Sequence, residues 1–236
     1  MEIFVDSANL DEIARWSTEG VIDGVTTNPS IMLKDGVRDL TARAREIARL
    51  VDGRPVSVEV TTDDPAEMLI QGRGLAKLAV NIVVKIPIIN ACGVPCLHVI
   101  KALTSAGVKV NCTAILSFNQ MVLAAKAGAT YLSIFAGRVA DEGQDPAPVI
   151  RDCARWVERW ALGKILVGSI RGVIDVQVAA VAGAHIITVP PQFLAKMTDH
   201  KYSRDTVRGF NEDAEKALGQ IRGLDARGKR RARDAA

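Results

Sequence analysis

The 236-residue sequence has few aromatic residues, three histidines and no long uninterrupted apolar run. The longest apolar stretch, 176–190, is broken by Gln177, Gly183 and His185, so no membrane-spanning helix is expected. None of the four cysteines forms a Cys-x-x-Cys pair and no histidine spacing completes a zinc site, so no metal is predicted. No basic flank or cleavage site follows Met1, so no signal peptide is expected and a reducing cytoplasm is the predicted location.

No charge of one sign dominates the chain. The net charge is only +3, with 24% charged and 48% hydrophobic residues, values that are ordinary for a globular protein. Neither nucleic acid nor a membrane is therefore expected as a partner. The basic excess is local, because lysines and arginines crowd the C-terminus. We predict one domain over residues 1–221 and a solvated, disordered tail over 222–236, with a nucleic-acid arm as the minor alternative for that tail.

Short apolar runs alternate with amphipathic segments along the chain. The runs predict strands that begin at Ile3, Val25, Val56, Ile82, Val108, Tyr131, Ile165 and Ile186. Several of them are apolar on both faces, which indicates a parallel sheet covered by helices. Eight such strands with interleaved helices predict a (β/α)8 TIM barrel.

The alternative fold is an open doubly wound sheet, which often carries a glycine-rich turn after its first strand. Here the first strand runs into Asp6-Ser7-Ala8-Asn9 without a glycine, so the barrel is favoured and no nucleotide or other cofactor is predicted. A last amphipathic stripe follows the eighth strand, at Val207, Phe210, Ala214, Ala217, Leu218 and Ile221. This extra C-terminal helix has no position in the ring of the barrel, so we expect it to pack across the barrel end or on a neighbouring subunit.

A lysine stands in the apolar run Ile82-Val83-Val84-Lys85-Ile86 of the fourth predicted strand. Lysine is rarely buried without a partner, because an unpaired buried charge is costly and burial favours the neutral amine. A neutral amine in a dry pocket is a nucleophile toward carbonyl carbon. Lys85 therefore suggests Schiff-base chemistry, and the alternative is a structural lysine whose head reaches water at the strand end.

Chemistry in barrels of this kind gathers at the carboxyl ends of the strands. The first and third predicted strands deliver Asp6 and Glu59 there, and the eighth, ending at Thr188, offers little. Asp6 could instead cap the helix that follows, and Glu59 could be a solvated position. With Lys85, however, they place one basic and two acidic groups at one mouth, where they can exchange protons over a bound substrate.

Two arginines and a serine follow the neighbouring strands six and seven. Arginines are usually surface charges, but Arg138, Ser169 and Arg171 together would form a cradle for a phosphate oxyanion. With a carbonyl near Lys85 and a phosphate at its far end, the inferred substrate is a phosphorylated ketose.

Five sequence blocks, in order and at compatible spacing, resemble the small transaldolase and fructose-6-phosphate aldolase family of class I aldolases. They are Val25–Ser30, Val83–Pro87, Asn111–Thr113 followed by Phe118–Gln120, Phe135–Arg138 and Ser169–Arg171. The resemblance extends from Glu2 to the helix that ends near Leu218.

The resemblance implies a role for each matching residue. Lys85 would form the Schiff base with the C2 carbonyl of the ketose, and Asp6 would shuttle the proton for cleavage of the C3–C4 bond. Glu59 would activate a water held partly by Thr113. The implied substrate-binding residues are Thr26, Asn28, Asn111, Ser133 and Phe135, and the implied phosphate-binding residues are Arg138, Ser169 and Arg171.

Two positions separate the two activities of this family. This chain is similar to the transaldolases at Glu59 and Phe135, where the fructose-6-phosphate aldolases have glutamine and tyrosine. A tyrosine hydroxyl could protonate the carbanionic intermediate and release free dihydroxyacetone, whereas Phe135 has no proton to give. The resemblance therefore favours a transaldolase of the pentose phosphate pathway, with a fructose-6-phosphate aldolase-like enzyme as the alternative.

The chain departs from the family pattern around the mouth of the barrel. Ile134 replaces a usual proline, residues 88–92 are more apolar than the usual acidic turn, and Gly172 and Val173 replace asparagine and proline. These departures leave a sulfonated ketose open as the substrate, and a non-catalytic sugar-phosphate-binding scaffold is the third hypothesis. The resemblance also implies a ring-forming homo-oligomer, a pentamer or a decamer of two pentamers.

Overall fold

The computed structural model describes the backbone of residues 1–234 and the side chains of residues 1–222. Within residues 1–234 the strands are β1 (Glu2–Asp6), β2 (Gly24–Thr26), β3 (Val56–Glu59), β4 (Ile82–Pro87), β5 (Val110–Ile115), β6 (Tyr131–Phe135), β7 (Lys164–Gly168) and β8 (Ile186–Val189). Each strand pairs in parallel with the next, and β8 pairs with β1, so the sheet closes. Closure confirms the predicted TIM barrel and excludes the open doubly wound sheet.

Within the described residues, helices alternate with the strands along the chain, and the last two helices follow β8. In the same described residues they are α1 (Leu10–Thr18), α2 (Pro29–Lys34), α3 (Leu40–Leu50), α4 (Pro65–Ala76), α5 (Leu97–Ser105), α6 (Phe118–Lys126), α7 (Ala136–Asp141), α8 (Pro146–Trp160), α9 (Val173–Val181), α10 (Pro191–Thr198) and α11 (Lys201–Asp234). Several begin at a capping side chain: Asn9, Asp39, Asp64, Ser117 and Asp145 each accept a backbone N–H from the first turn.

The side chains inside the barrel form an apolar level below a polar level. The apolar level is the buried cluster of Phe4, Val83, Tyr131, Leu166 and Ile186. Because alternate side chains of a strand face the same side, the residue two positions further on each strand also faces inward. Those residues are Asp6, Lys85, Ser133, Gly168 and Thr188. The apolar cluster thus supports a level at the carboxyl ends of the strands in which all of these residues except Gly168 carry polar side chains.

The chain divides into two compact units, Met1–Leu194, which contains the barrel, and a second unit that begins at Ala195. The predicted extra C-terminal helix is α11, in the second unit. Its exposed large apolar side chains are Tyr202, Val207, Phe210, Leu218 and Ile221. The backbone of 222–234, where a disordered tail is predicted, continues α11, whereas the side chains from residue 223 onward lie outside the described part of the chain, so their solvation stays a prediction. No described helix is long and apolar enough to cross a membrane.

Candidate active site

A cavity of about 340 Å³ opens at the carboxyl ends of the barrel strands. The predicted site residues that line it are Asp6, Thr26, Asn28, Glu59, Lys85, Ser133, Phe135, Arg138 and Ser169. Three other predicted residues, Asn111, Thr113 and Arg171, are absent from its lining as the described residues define it. Thr188, which the sequence analysis passed over, also lines this cavity.

Lys85 lies in the wall of this cavity and is only 5% exposed. Its Nζ stands 3.1 Å from Oε2 of Glu59 and donates a hydrogen bond to the backbone carbonyl of Thr27 over 3.3 Å. Glu59 and Lys85 are register partners on β3 and β4, so adjacent strands hold the two groups side by side. Glu59 can therefore offset the charge of the buried ammonium and accept its proton, which is the step that makes the amine a nucleophile.

Asp6 is not the cap of the helix that follows it. Asn9 caps α1, its Oδ1 accepting the backbone N–H groups of Asp11 and Glu12, and so the Asp6 carboxylate is available to the cavity. Thr26 Oγ1 donates a hydrogen bond to Asp6 Oδ1 over 2.6 Å. Thr26 Oγ1 also stands 2.5 Å from Thr188 Oγ1. The three side chains come from β1, β2 and β8, which meet only because the barrel closes.

The environment of Asp6 favours its protonated form. Loss of hydration is the largest cause that raises the pKa of Asp6 above its ordinary value, although part of the residue opens to the cavity. Lys85 and the hydrogen bond from Thr26 lower that pKa, whereas the carboxylates of Glu59 and Asp35 raise it. A carboxyl group whose pKa is raised in this way is better suited to accept and return a proton than an ordinary aspartate.

Asn111 and Ser133 form a buried hydrogen-bond network beside the lysine. Ser133 Oγ donates to Asn111 Oδ1 over 2.6 Å, and Asn111 Nδ2 donates to Ser57 Oγ over 3.1 Å. Asn111 is also the register partner of Lys85 on β5. The network fixes the orientation of the amide and leaves Ser133 in the cavity wall, where it can meet a substrate hydroxyl.

Thr113 carries a buried hydroxyl that has no hydrogen-bond partner among the described residues. The register of β5 against β6 shifts between Cys112 and Ile115, and Ala114 within this irregularity has φ 59°. Such an irregularity re-aims the side chains beside it. An unpaired buried hydroxyl is costly, so Thr113 is a site where a water or a substrate group would be stabilised.

Asn28 has a structural use as well as a place in the cavity wall. Its Oδ1 accepts the backbone N–H of Ile31 over 2.9 Å and so caps α2, and Pro29 is the first residue of that helix. This cap holds Asn28 at the mouth of the barrel.

The predicted anion-binding residues lie at the rim of the cavity, together with a carboxylate that was not predicted. Asp141 Oδ2 stands 2.6 Å from Nη2 of Arg171 and 3.6 Å from Nη1 of Arg138. Asp141 therefore holds the two guanidinium groups near each other and reduces the charge of the cluster. Asp175 supports the same loop, because its Oδ2 accepts the backbone N–H of Arg171 over 2.7 Å.

Gly137 permits the close approach of α7 to the loop that carries Ser169. A Cβ on Gly137 would stand 2.0 Å from the carbonyl oxygen of Ser169 and 2.9 Å from Nε of Arg171. Ser169 itself has φ 62°, in the left-handed region that non-glycine residues rarely adopt. The loop is thus fixed by a contact that tolerates no side chain at position 137.

Replacing Gly137 by alanine is expected to lower the free energy of unfolding by about 1–3 kcal/mol, because the methyl group would overpack this contact. The matched control is Gly74→Ala in α4, where nothing lies within 4 Å of an added Cβ. Alanine favours a helix over glycine, so this control should raise the free energy of unfolding by up to about 1 kcal/mol. Denaturant unfolding measures both, and equal small changes would contradict the predicted contact.

Two site residues were missed from the sequence, and each had a weak signal. Thr188 lies two positions after the buried Ile186, so the period of a strand already places it on the inner face. Asp141 lies three positions after Arg138, one turn along a helix, where an aspartate can pair with an arginine.

Among the described residues, no group of three or more His, Cys, Asp or Glu side chains could hold a metal ion.

Comparisons with known proteins give one family. The family described as Transaldolase/Fructose-6-phosphate aldolase matches residues 3–230. A probable transaldolase of Pelotomaculum thermopropionicum is 42% identical over 217 residues, covering 92% of this chain and 98% of that protein. A probable transaldolase of a Thermoanaerobacter species is 43% identical over 218 residues, with the same coverage of both chains. A thiamine phosphate pyrophosphorylase structure from Pyrococcus furiosus, covering 80% of this chain and 85% of that one, has a TM-score of 0.55 at 13% identity and shows likeness of fold alone.

Proposed function

The chain belongs to the transaldolase/fructose-6-phosphate aldolase family and is an enzyme of the transaldolase type, and on that premise we propose its reaction. It transfers a dihydroxyacetone unit from a ketose phosphate, fructose 6-phosphate or sedoheptulose 7-phosphate, to an aldose phosphate of the pentose phosphate pathway. The transfer runs through a Schiff base on Lys85. The observation that carries this proposal is the buried amine of Lys85, 3.1 Å from Glu59 in a cavity that Asp6 also lines.

The first half of the reaction forms the Schiff base. Glu59 accepts a proton from the Lys85 ammonium, and the neutral amine attacks the C2 carbonyl carbon of the ketose. The resulting carbinolamine loses its hydroxyl as water, with a proton returned from Glu59 through a water that Thr113 helps to hold. The product is an iminium between Nζ of Lys85 and C2. The unpaired buried hydroxyl of Thr113 supports its assignment to this water.

The second half breaks and re-forms a carbon–carbon bond. Asp6 accepts the proton of the C4 hydroxyl, the C3–C4 bond breaks, and its electron pair moves into the iminium to give an enamine. The aldehyde fragment leaves, and an aldose phosphate takes its position. The enamine carbon attacks the new aldehyde, Asp6 returns its proton to the new alkoxide, and water hydrolyses the Schiff base to release the product ketose.

The remaining site residues hold the two ends of the substrate. The dihydroxyacetone hydroxyls contact the polar groups of Thr26, Asn28 and Ser133, Asn111 contributes through its hydrogen bond with Ser133, and Phe135 closes one wall of the pocket. The phosphate binds at the rim, on Arg138, Ser169 and Arg171. Asp141 pairs with both guanidinium groups, so the net charge of the rim cluster is smaller than its arginines suggest. A sulfonated ketose, whose anion carries less charge, is therefore the second candidate substrate.

Reductive trapping tests the covalent step. Fructose 6-phosphate with borohydride is expected to leave one reduced dihydroxyacetone unit on Lys85, located by mass spectrometry of the digested protein. A folded protein that acquires no adduct would overturn the proposal and favour a sugar-phosphate-binding scaffold. The same treatment without fructose 6-phosphate is the control for nonspecific modification.

An acceptor-dependence measurement separates the two activities of the family. A transaldolase should turn over only when an aldose phosphate such as erythrose 4-phosphate is present, because Phe135 offers no proton to the enamine. Free dihydroxyacetone that accumulates without an acceptor would instead indicate an aldolase. The ratio of kcat/KM for phosphate and sulfonate ketoses then decides between the two substrate classes.

We also propose a homo-oligomer, a pentamer or decamer, in which the apolar stripe of α11 contacts a second copy of the chain. The support is the exposure of Val207 at 54%, Phe210 at 67% and Ile221 at 55%. Exposed apolar side chains in a helical row are typical of an interface. A monomer in size-exclusion chromatography with light scattering would contradict this.

We further propose that the protein is located in the cytoplasm.

A further inference from the structure

Thr188 is buried on β8, which pairs with β1, and its hydroxyl meets that of Thr26 on β2. It is 5% exposed, and its Oγ1 stands 2.5 Å from Oγ1 of Thr26 on β2. Thr26 in turn donates to Asp6 over 2.6 Å. The methyl group of Thr188 faces Gly168, where an added Cβ would stand 3.4 Å from Cγ2. The close approach of β7 therefore directs the methyl group to one side and the hydroxyl toward Thr26.

The number of hydrogens determines the direction of these bonds. Each threonine hydroxyl has one hydrogen, and an ionised carboxylate has none. When Asp6 is ionised, Thr26 must donate to it, and the short contact between the two threonines then requires the hydrogen of Thr188. The only chain that satisfies all three groups runs from Thr188 to Thr26 to Asp6. Each donor polarises the next, which strengthens the final bond to the charged carboxylate.

We propose that Thr188 is a positioning residue, which acts through Thr26 to stabilise ionised Asp6 and keep it ready to accept the proton of the substrate hydroxyl. This inference rests on the proposed function, in which cleavage begins with Asp6 as the base. Thr188 does not contact the reacting atoms in this scheme. Its contribution is a hydroxyl hydrogen that orients Thr26, the residue whose hydroxyl donates to Asp6.

Several other groups near Asp6 also influence whether its carboxyl group is ionised, and they act in opposite directions. The ammonium of Lys85 favours the ionised carboxylate, whereas burial and the carboxylates of Glu59 and Asp35 oppose it. Burial is the largest of these causes and raises the pKa of Asp6. Removing the hydroxyl of Thr188 changes none of these charges. A change in the titration of Asp6 in such a variant can therefore be assigned to the lost hydroxyl.

The test compares Thr188→Val, which keeps the shape and loses the hydroxyl, with Thr188→Ser, which keeps the hydroxyl. For kcat/KM with the ketose donor, the acid-side inflection of the Val variant should move up by about 0.5 pH unit. At a pH below the inflection, kcat/KM should then fall about threefold, and above it the rate should change less. Thr188→Ser should keep the inflection of the parent protein.

Other outcomes would contradict the proposal. An unchanged inflection in the Val variant, or a loss of rate that is the same at every pH, would indicate a packing role only. If the Val variant does not fold, Thr188→Ala gives the same comparison with Thr188→Ser at a smaller side-chain volume. An Ala variant with the inflection of the Ser variant would also overturn the inference.

A second measurement does not depend on turnover. Carboxyl ¹³C NMR of the protein labelled at aspartate Cγ can follow the titration of Asp6, with Asp6→Asn identifying its signal. The Asp6 signal of Thr188→Val should titrate at a higher pH than that of the parent protein and of Thr188→Ser. If the protein shows no Schiff-base chemistry but this shift is present, the proposed function fails and the hydroxyl chain stands. If turnover is present and the shift is absent, the inference alone fails.

Discussion

Replacing Lys85 by methionine is expected to reduce transaldolase turnover by roughly 10⁴-fold or more, because loss of a covalent nucleophile removes the whole reaction route. The adduct obtained by borohydride trapping should disappear as well. The protein should stay folded. Methionine fills the buried volume of the lysine stem, and the carboxylate of Glu59, whose side chain is 20% exposed, can be hydrated when its partner is lost.

The matched control is Lys164→Met, which also removes a lysine from a lysine–glutamate pair. Lys164 Nζ stands 2.5 Å from Glu2 Oε1, and its side chain is 49% exposed. Exposed ion pairs contribute roughly 0–1 kcal/mol, so the control should keep both its stability and its turnover. Comparable turnover in the Lys85 and Lys164 variants would exclude a Schiff base on Lys85.

Replacing Asp6 by asparagine is expected to lower turnover by about 10²–10⁴-fold and, at neutral pH, to raise the free energy of unfolding. The loss of rate follows from removal of the group that accepts and returns the proton. The gain in stability follows from the raised pKa of Asp6, whose largest cause is burial. An uncharged amide avoids the penalty of holding an ionised carboxylate in that position and can still accept the hydrogen bond from Thr26.

The stability gain has a defined pH dependence. The pKa of Asp6 is higher in the folded than in the unfolded protein, so the folded state binds this proton more tightly. The advantage of asparagine is therefore largest above the folded pKa of Asp6, shrinks as the pH falls through it, and vanishes below the unfolded value near 3.9. Each unit between the two pKa values is worth about 1.4 kcal/mol.

Denaturant unfolding of parent and variant at several pH values measures this difference. Asp23→Asn is the control, because the Asp23 carboxylate accepts the backbone N–H of Ile3 at an exposed position and its loss should bring no gain. A variant at Asp6 that is less stable than the parent at pH 7 would show that the carboxylate is stabilising where it stands. Turnover close to that of the parent would remove Asp6 from the proton-transfer step.

The barrel could be predicted from the chain because its strands are local patterns. The predicted starts at Val56, Ile82, Tyr131 and Ile186 coincide with the starts of β3, β4, β6 and β8. The fifth strand begins at Val110 rather than Val108, a shift within the usual uncertainty of strand boundaries. A parallel strand that is buried on both faces leaves a short run of consecutive apolar residues, so these elements needed no information from the rest of the chain.

The site was predicted less completely than the fold. The cavity brings together the lysine and the two carboxylates as the strand ends suggested, but Arg171 points its guanidinium to Asp141 at the rim and does not line the cavity. Thr113 and Asn111 also lie outside the lining. The type of a residue and its position near the end of a strand indicate whether its side chain belongs to the apolar or the polar level inside the barrel. They do not indicate which neighbour it bonds to, since that depends on rotamers and on the strand beside it.

The eight strands and the family motifs around Lys85 can be recognised from consecutive residues of the sequence. The way in which Asp6 is held depends instead on contacts between residues far apart in the chain. Thr26 and Thr188 are 162 positions apart, and their hydroxyls meet because closure of the barrel brings β8 and β2 to either side of β1. Arg171 and Asp141, 30 positions apart, depend in the same way on α7 packing close to the loop after β7. Local periodicity is a property of consecutive residues, whereas these hydrogen bonds depend on distances that exist only after the sheet has closed.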